Sequence, residues 1–571
     1  MSGPDLAGAA QMKKVSQPKY DLAIDKDVEI TLRDGVRLKA DIFRPKARGK
    51  FPALINIGAY QKDKLWVPPP DLEEKPNQYM NWETVNPLWW VPRGYAAVRV
   101  DTRGSGKSPG ITDPFSLQEA LDFHDAIEWS AIQPWCSGNV ATSGISYFAM
   151  TQWLVANLQP PSLKAMIPWE GAADMYRDFA YHGGMFCFGF VSNWYNNHMA
   201  HHLLGRRHQE SPDAFSKHWL WHYMRESLDT GCYYGRQAQW DKIKVPFYSA
   251  GNWSGVGLHL RGNTEAFTRA GSKHKKLRIH AGTHYHPFYA EEARQDQLRF
   301  LDHWLKGIDT GIMDEPPVKL LIRTGGGKNY KWRHENEWPL ARTKWTKFYL
   351  RPIKQNARGG EQVEGALTTA APKTRGSLTY SASGMTKAGV ASASWTSTAL
   401  AGSLPRMGVS FQTDPLPADT EITGPVNLVL WVSTSTEDMD IFATIRNIDP
   451  DGKDVWEIGQ QQQQVPVTKG WLRASHRKLD PELSLPYRPY HAHDERLWLK
   501  PGEIAQVQVE IWPTCMVFRK GHRLRLDIQP KDGVGSAPYT HYSADYNVGE
   551  NTIHTGGSAA SYLLLPVIPK S

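Results

Sequence analysis

Apolar residues follow two different patterns in the first part of the chain. Residues 28–45, VEITLRDGVRLKADIFRP, alternate apolar and polar positions on both sides of Asp34-Gly35, which predicts an antiparallel hairpin with a tight turn. Short, uninterrupted apolar runs follow, and such runs are typical of buried parallel strands. Helical patterns such as 117–132 separate these runs, which are residues 51–58, 95–101, 139–146, 163–170, 245–251 and 277–282. The pattern predicts a doubly wound α/β sheet.

Two other segments have a different character. Between residues 174 and 240 the strand-like runs stop and a stretch rich in Trp, His and Tyr appears, which predicts an inserted helical cap. From about residue 316 many short alternating strands with Gly, Pro and Asp turns predict an all-β jelly-roll sandwich, in which the Gly- and Ala-rich residues 358–401 form a loop. The predicted organisation is an N-terminal extension (1–20), an α/β-hydrolase-type domain (21–173 and 241–315), a cap (174–240) and a jelly-roll domain (316–571).

Length, charge and cysteine content narrow the class of protein. A chain of 571 residues is too long for one hydrophobic core, and 40% hydrophobic with 22% charged residues is an ordinary globular composition. The net charge of +8 is spread along the chain without a basic arm, so we expect no nucleic-acid binding. The four cysteines form no C-x-x-C pair, which disfavours a zinc site and a disulfide framework. Without a signal-peptide core or a membrane-length apolar run, a cytoplasmic protein with no membrane contact is expected.

One serine stands where a catalytic nucleophile is expected. Residues 139–149 run from an apolar strand through Gly144-Ile145-Ser146-Tyr147 into a helix-like stretch, which predicts a sharp turn that exposes the serine oxygen above a sheet. The peptide N–H of Tyr147, at the helix start, can then face a developing oxyanion. A P-loop is excluded as a rival: GSGKS at 104–108 follows a strand, but Asp101 stands where the motif needs glycine and Pro109 follows at once.

Several stretches together resemble a known family. DGVRLKADIFRP, GYAAVRVDTRGSGKSPG, QPWCSGNVATSGISYFAM, FLDHWLKG and GHRLRLDI occur in the family's order, and the chain is thereby similar to the cocaine-esterase and X-Pro dipeptidyl-peptidase group, the CocE/NonD serine hydrolases. The resemblance covers nearly the whole chain. It implies a hydrolase domain, a helical cap and a C-terminal jelly roll, as the pattern of residues does.

The resemblance implies the base of a catalytic triad, but it leaves the acid without a match. His284 in AGTHYHPF takes the place of the family's G-P-W-x-H histidine, with His286 as a rival, while His280 lies within a strand and is expected to be structural. The family's G-W-x-D aspartate is missing from GNWSGVG at 251–257. Glu170, at the end of the next predicted strand, is the favoured acid. Asp174, Glu265 and an incomplete dyad are the alternatives.

The expected chemistry is acyl transfer without a metal or organic cofactor. The family uses a tyrosine hydroxyl after the first long core strand, so Tyr60 in GAYQKD and the Tyr147 amide are the predicted oxyanion donors. Ser146 attacks a small ester or amide, and His284 moves the proton. Two alternatives remain open: an aminopeptidase of the X-Pro dipeptidyl-peptidase type, and a catalytically silent carbohydrate- or partner-binding protein. If the chain forms a homo-oligomer, the jelly roll offers a contact surface.

Overall fold

The structure is a computed structural model, and it describes residues 15–70, 72, 74–200, 219–327, 330–353, 363–382, 385–386, 389–390, 408–533, 536, 538–541 and 548–569. The α-helices are α1 (Pro87–Trp90), α2 (Leu117–Ala131), α3 (Tyr147–Ala156), α4 (Phe188–Trp194), α5 (Trp219–Arg225), α6 (Leu260–Arg269), α7 (His286–Tyr289) and α8 (Glu291–Lys306). The strands of the N-terminal half are β1 (Leu22–Thr31), β2 (Arg37–Pro45), β3 (Phe51–Gly58), β4 (Ala96–Asp101), β5 (Cys136–Ile145), β6 (Leu163–Trp169), β7 (Tyr181–His182), β8 (Met185–Phe186), β9 (Phe247–Asn252), β10 (Lys275–His280), β11 (Val318–Ile322) and β12 (Lys331–Glu335).

A ten-stranded mixed sheet forms the N-terminal half, in the order β1-β2-β4-β3-β5-β6-β9-β10-β11-β12. As predicted, β1 and β2 pair antiparallel around the turn at Gly35, whose φ of 85° suits a residue without a Cβ. From β4 to β11 the neighbours run parallel, and every residue of β3 is buried, as its continuous apolar sequence requires. Helices α2 and α3 pack against β5. The predicted α/β sheet is present.

The predicted boundary at 315/316 falls before the last two strands of this sheet. β11 pairs parallel with β10, and β12 pairs antiparallel with β11, so both complete the α/β sheet. No helix-length segment separates β11 from β12, so their sequences resemble the β-rich region that follows. The hydrophobic pattern alone therefore did not show where the α/β sheet ends and the C-terminal β sheet begins.

The C-terminal half is built from β13 (Lys344–Pro352), β14 (Val363–Thr368), β15 (Gly376–Ser381), β16 (Met385–Thr386), β17 (Gly389–Val390), β18 (Val409–Gln412), β19 (Thr420–Thr434), β20 (Asp440–Ile448), β21 (Glu457–Ile458), β22 (Gln464–Val465), β23 (Thr468–Arg473), β24 (Ala505–Phe518), β25 (Arg523–Gln529), β26 (Glu550–Thr555) and β27 (Tyr562–Ile568). Most of them form a sheet of eleven strands in which β19 also pairs with β27. This pairing closes nine strands into a barrel around an apolar core that includes Val426, Leu428 and Leu526. The all-β class is as predicted, whereas the jelly-roll arrangement stays a prediction.

In two segments the observed secondary structure differs from the one predicted, or is described only in part. Of residues 358–401, predicted as a loop, the structure describes only part, and that part contains β14 and β15. Between 174 and 240 the described residues hold α4, α5, two stretches of π-helix and the small β7–β8 hairpin, while residues 201–218 lie outside the described part. Of the predicted N-terminal extension, residues 1–14 lie outside the described part. Ser16, just beyond them, donates hydrogen bonds to Asp302.

Candidate active site

Ser146 occupies a strained turn between β5 and α3. Its φ of 55° and ψ of −113° are unusual for a residue with a side chain, and such strain is typical of a nucleophile elbow. The sequence fits the turn because a Cβ on Gly144 would come 2.5 Å from the Cβ atom of Phe148, so only glycine lets the backbone approach this closely. The turn therefore holds the serine oxygen in one position at the carboxyl edge of the sheet.

The hydroxyl of Ser146 meets a histidine that the sequence did not single out. Its Oγ atom lies 3.2 Å from Nε2 of His259, the residue immediately before α6. His259 is 1% exposed, and burial together with the nearby charge of His284 lowers its pKa from 6.5 to about 3. The imidazole is therefore neutral at ordinary pH, which leaves one ring nitrogen able to accept a proton from the hydroxyl.

Glu170 lies at the centre of the cluster, one residue past β6, with a φ of 50°. Its Oε1 accepts hydrogen bonds from Nε2 of His280 at 2.8 Å and from Nδ2 of Asn252 at 3.0 Å. Its Oε2 accepts from Nδ1 of His284 at 2.7 Å and contacts the side-chain amide of Gln460. Burial favours the neutral acid, but the charge of His284 and these hydrogen bonds outweigh it and hold the pKa of Glu170 far below its ordinary value. The carboxylate is ionised.

His284, the base predicted from sequence, is held between two carboxylates. Its Nδ1 donates to Glu170, and its Nε2 lies 3.1 Å from Oε1 of Glu83. Burial alone would lower its pKa, but Glu170 and Glu83 raise it to about 10. The ring lies nearly parallel to that of His259, with 5.3 Å between centroids and 8° between planes. The structure thus brings His284 together with Glu170, whereas the hydrogen bond of the Ser146 hydroxyl is with His259.

Glu83 is a second acid that sequence reasoning missed. It is buried, and its pKa is raised, chiefly by that burial. Its backbone oxygen accepts a hydrogen bond from Ile145 at 3.0 Å, so the same residue braces the strand that leads into Ser146. No motif marks it in the sequence. It stands between Trp82 and the pair Trp89-Trp90, and these aromatic residues were its only sequence signal for a substrate cleft.

The two predicted oxyanion donors lie beside the nucleophile. Tyr60 follows β3, and its hydroxyl oxygen accepts a hydrogen bond from the indole N–H of Trp194 at 2.6 Å. Burial raises the pKa of Tyr60 well above 10, so the phenol keeps its proton. Tyr147 is the first residue of α3, and its ring centroid lies 5.3 Å from that of Tyr60. Its side-chain hydroxyl donates to Glu119 at 2.7 Å, so only its backbone amide is suited to an oxyanion.

Comparison with known proteins agrees with this geometry. The sequence profile of the X-Pro dipeptidyl-peptidase (S15 family) matches residues 34–286, and that of the X-Pro dipeptidyl-peptidase C-terminal non-catalytic domain matches residues 310–564. A CocE/NonD family hydrolase from Staphylococcus aureus superimposes with a TM-score of 0.84 at 33% identity, over 96% of this chain and 94% of that one. The chain belongs to the CocE/NonD family of S15-type serine hydrolases.

Two curated relatives in this family are similar over their full length. A putative serine esterase of Mycobacterium bovis is 25% identical over 98% of both chains, and the cocaine esterase of a Rhodococcus species is 25% identical over 96% of this chain and 99% of that protein. These matches confirm the resemblance and the serine-hydrolase activity predicted from sequence. Among the described residues, no helix has the length and apolarity that crossing a bilayer requires.

The alternative acids have structural partners elsewhere. Asp174 accepts hydrogen bonds from the backbone N–H groups of Tyr176 and Arg177 at 3.0 Å each and pairs with the Arg177 guanidinium at 2.9 Å. Glu265 pairs with Arg488 at 2.6 Å. His286, the rival base, begins α7. Glu170 thus differs from the other acids that the sequence offered, because it contacts the imidazole of His284, whose ring stacks on that of His259 beside Ser146.

A cleft of about 460 Å³ includes Ser146, His259, His284 and Glu83 in its walls. Seven aromatic rings also line it, namely Tyr60, Trp82, Phe190, Trp194, His198, Tyr285 and Tyr539. The C-terminal half contributes to it, because Tyr539 donates to Gln460 at 2.9 Å and Gln460 in turn contacts Glu170. Both halves of the chain therefore line this cleft.

Proposed function

We propose that the protein is a carboxylic ester hydrolase that forms an acyl-enzyme on Ser146. One observation carries the proposal: a serine oxygen on a strained turn lies 3.2 Å from the neutral Nε2 of His259, at the base of an aromatic cleft. This contact has the geometry of a nucleophile and its general base. The relatives named as esterases support an ester as the substrate class.

The reaction begins when the Ser146 oxygen attacks the ester carbonyl carbon. The hydroxyl proton moves to Nε2 of His259, and the carbonyl oxygen becomes an oxyanion that accepts hydrogen bonds from the Tyr60 phenol and the Tyr147 amide. The carbon–oxygen bond to the alcohol then breaks, and the His259 imidazolium returns its proton to the departing oxygen. Water attacks the acyl-enzyme in the same way, so the products are a carboxylic acid and an alcohol.

Glu170 stabilises the positive charge that forms on His259, whereas the protonated His284 opposes it. Nδ1 of His259 lies 3.9 Å from Oε2 of Glu170, and such catalytic contacts shorten once substrate is bound. His284 already carries a proton between Glu170 and Glu83, so it orients the carboxylate while His259 accepts the serine proton. The sequence predicted His284 as the base, and that prediction still stands beside the proposal of His259. The variants discussed below distinguish the two assignments.

The contacts of Glu83 favour an ester over a peptide with a free N-terminus. An aminopeptidase needs an acidic anchor for the substrate ammonium near its nucleophile. Glu83 is the acid that lines the cleft together with Ser146, but its Oε1 lies 3.1 Å from Nε2 of the protonated His284, which offsets its negative charge. The aromatic walls of the cleft instead suit an apolar acyl or alcohol group.

Graded substrates test this proposal directly. Purified protein is expected to hydrolyse aryl esters of short and aromatic acids and to leave an X-Pro anilide intact, and Ser146→Ala is expected to hydrolyse neither. A matched control is Ser137→Ala, which removes an exposed serine from the start of β5. Release of dipeptide from the anilide at a rate comparable to ester cleavage would instead support the X-Pro dipeptidyl-peptidase alternative.

Three finer expectations stay proposals of their own. We infer a cytoplasmic protein from the sequence, and homo-oligomer formation through the C-terminal β domain. A catalytically silent binding protein is the third alternative, and the ester assay rejects it when turnover depends on Ser146.

A further inference from the structure

A second cluster of polar side chains lies behind the wall of the cleft. It consists of His182 at the end of β7, Cys187 immediately before α4, and His541 in the C-terminal half. Their imidazole nitrogens and thiol sulfur lie within 4.8 Å of one another. The side chain of His541 has no exposed surface, and His182 and Cys187 are 1% and 0% exposed. Three side chains that bind transition metals thus converge in a dry interior.

The outer nitrogens of both histidines are already bound to oxygen acceptors. Nε2 of His182 lies 3.3 Å from the backbone carbonyl oxygen of Asp178, which can only accept a hydrogen bond. Nδ1 of His541 lies 3.1 Å from the carboxylate of Asp532. These contacts place a ring proton on the outer nitrogen of each imidazole.

The inner nitrogens therefore direct lone pairs at each other. Nδ1 of His182 and Nε2 of His541 are 2.8 Å apart, and two lone pairs at that distance repel unless a cation lies between them. A proton shared by the two rings would leave the Cys187 sulfur, which lies within the same cluster, without a role. A metal ion satisfies both nitrogens and adds the Cys187 sulfur as its third ligand.

We propose that His182 Nδ1, His541 Nε2 and Cys187 Sγ bind one divalent ion of the zinc type. Two imidazoles and a thiolate are a donor set that suits zinc, with bonds of about 2.0–2.1 Å to nitrogen and about 2.3 Å to sulfur. Binding converts the Cys187 thiol to a thiolate and releases its proton to solvent. The two inner nitrogens separate to about 3.3 Å in a tetrahedral site of these bond lengths.

The surroundings of the cluster match those of metal-bound histidines. Such ligands usually donate their other ring N–H to a carboxylate or backbone carbonyl, and Asp532 and the Asp178 carbonyl take those roles here. The ligands also come from both halves of the chain. Helix α4, which starts after Cys187, places Phe190 in the cleft wall, and Tyr539 lies two residues before His541. The Phe190 and Tyr539 rings are 5.1 Å apart, so the ion fixes both walls together without contacting Ser146.

Metal titration of the full chain tests the site. The protein is stripped with a chelator and titrated with Zn²⁺ while the metal content and the midpoint of thermal unfolding (Tm) are measured, and with Co²⁺ while the visible spectrum is recorded. We expect one equivalent per chain, a thiolate-to-cobalt charge-transfer band and a rise in Tm. Cys187→Ser should remove that band and weaken binding at least ten-fold, whereas the matched control Cys232→Ser should keep both.

Two further variants distinguish the outcomes. Asp532→Asn keeps all three ligands and is expected to weaken Zn²⁺ binding about 10- to 100-fold, so it tests the site even if Cys187→Ser fails to fold. His259→Ala removes a possible ligand of the catalytic cluster and should leave the stoichiometry and the cobalt band unchanged. The proposal is overturned if no equivalent binds, if binding survives unchanged in Cys187→Ser and Asp532→Asn, or if His259→Ala abolishes it.

Discussion

Nε2 of His259 lies 3.2 Å from Oγ of Ser146, although 113 residues separate the two in sequence. The strand order of the sheet explains why these two residues are in contact. β5, β6, β9 and β10 are consecutive neighbours, and their carboxyl ends lead to Ser146, to Glu170, to the segment that contains His259, and to His284. Because carboxyl ends of parallel strands share one edge, four distant segments deliver their polar side chains to one place.

The two histidines are expected to respond differently to substitution. His259→Ala removes the group that accepts the serine proton, so kcat should fall by about 10²- to 10⁴-fold with little change in KM. His284→Gln keeps a donor toward Glu170 but removes the positive charge, and should cost less in kcat. Steady-state kinetics on an aryl ester measure both. A larger loss for His284→Gln than for His259→Ala would assign the base to His284 instead.

The pH dependence of kcat/KM separates the same two assignments. A base whose pKa is lowered to about 3 stays deprotonated until the pH falls far below 6.5, so kcat/KM should hold its neutral value at pH 5. A base with the raised pKa of His284, about 10, would make kcat/KM climb steadily from neutral pH toward pH 10.

Folding must be followed alongside this profile. The raised pKa of His284 contributes stability that is complete below 6.5 and is lost as the pH rises through about 10. Near-ultraviolet circular dichroism at each pH therefore accompanies the kinetics. An activity loss that coincides with loss of the folded signal reports unfolding and is left out of the profile.

Glu170→Gln is expected to lower kcat by about 10⁴-fold, as removal of the charge of a triad acid does elsewhere. The amide cannot accept from His280, His284 and Asn252 as the ionised carboxylate does, so the imidazoles lose their orientation. Glu265→Gln is the matched control, since that acid pairs with Arg488 away from the cleft. Its kcat per folded molecule should match the parent, whatever its Tm. Equal kcat for Glu170→Gln and the parent would contradict the role of Glu170.

Tyr60→Phe removes one oxyanion donor while keeping the ring that packs near Tyr147 and Phe148. We expect kcat to fall by about 10²- to 10³-fold with KM nearly unchanged, because the hydrogen bond forms to the oxyanion and only weakly to the ground-state carbonyl. Tyr248→Phe, whose hydroxyl donates to Asp296 at 3.2 Å, is the matched control with unchanged kcat. A ten-fold rise in KM at constant kcat would show that Tyr60 binds substrate instead.

The sequence predicted those parts of the site that local patterns encode. Ser146 was predicted from a strand, a sharp turn and a helix, and Glu170 from its place at a strand end, where side chains reach the common edge of the sheet. Tyr60 was predicted from the family resemblance. His259 was missed because it stands alone at the start of a helix, and no spacing links it to the serine. Gln460 was missed because it comes from the other half of the chain.

Long-range strand pairing similarly limited how much of the fold could be predicted from the sequence. The alternating strands after residue 316 indicated an all-β region, but the pairing of β19 with β27 joins segments more than 100 residues apart and closes the barrel. No local signal encodes that register. For the same reason, cysteine spacing argued against a zinc site, whereas His182, Cys187 and His541 meet only in the folded chain.

Covalent labelling tests the central claim most directly. Native protein is treated with a fluorophosphonate and digested, and the modified peptide is identified by mass spectrometry. The account predicts one label per chain on Ser146, faster in the parent than in His259→Ala and absent from Ser146→Ala. Ester hydrolysis without label at Ser146, or label on another residue that tracks the loss of activity, would contradict it.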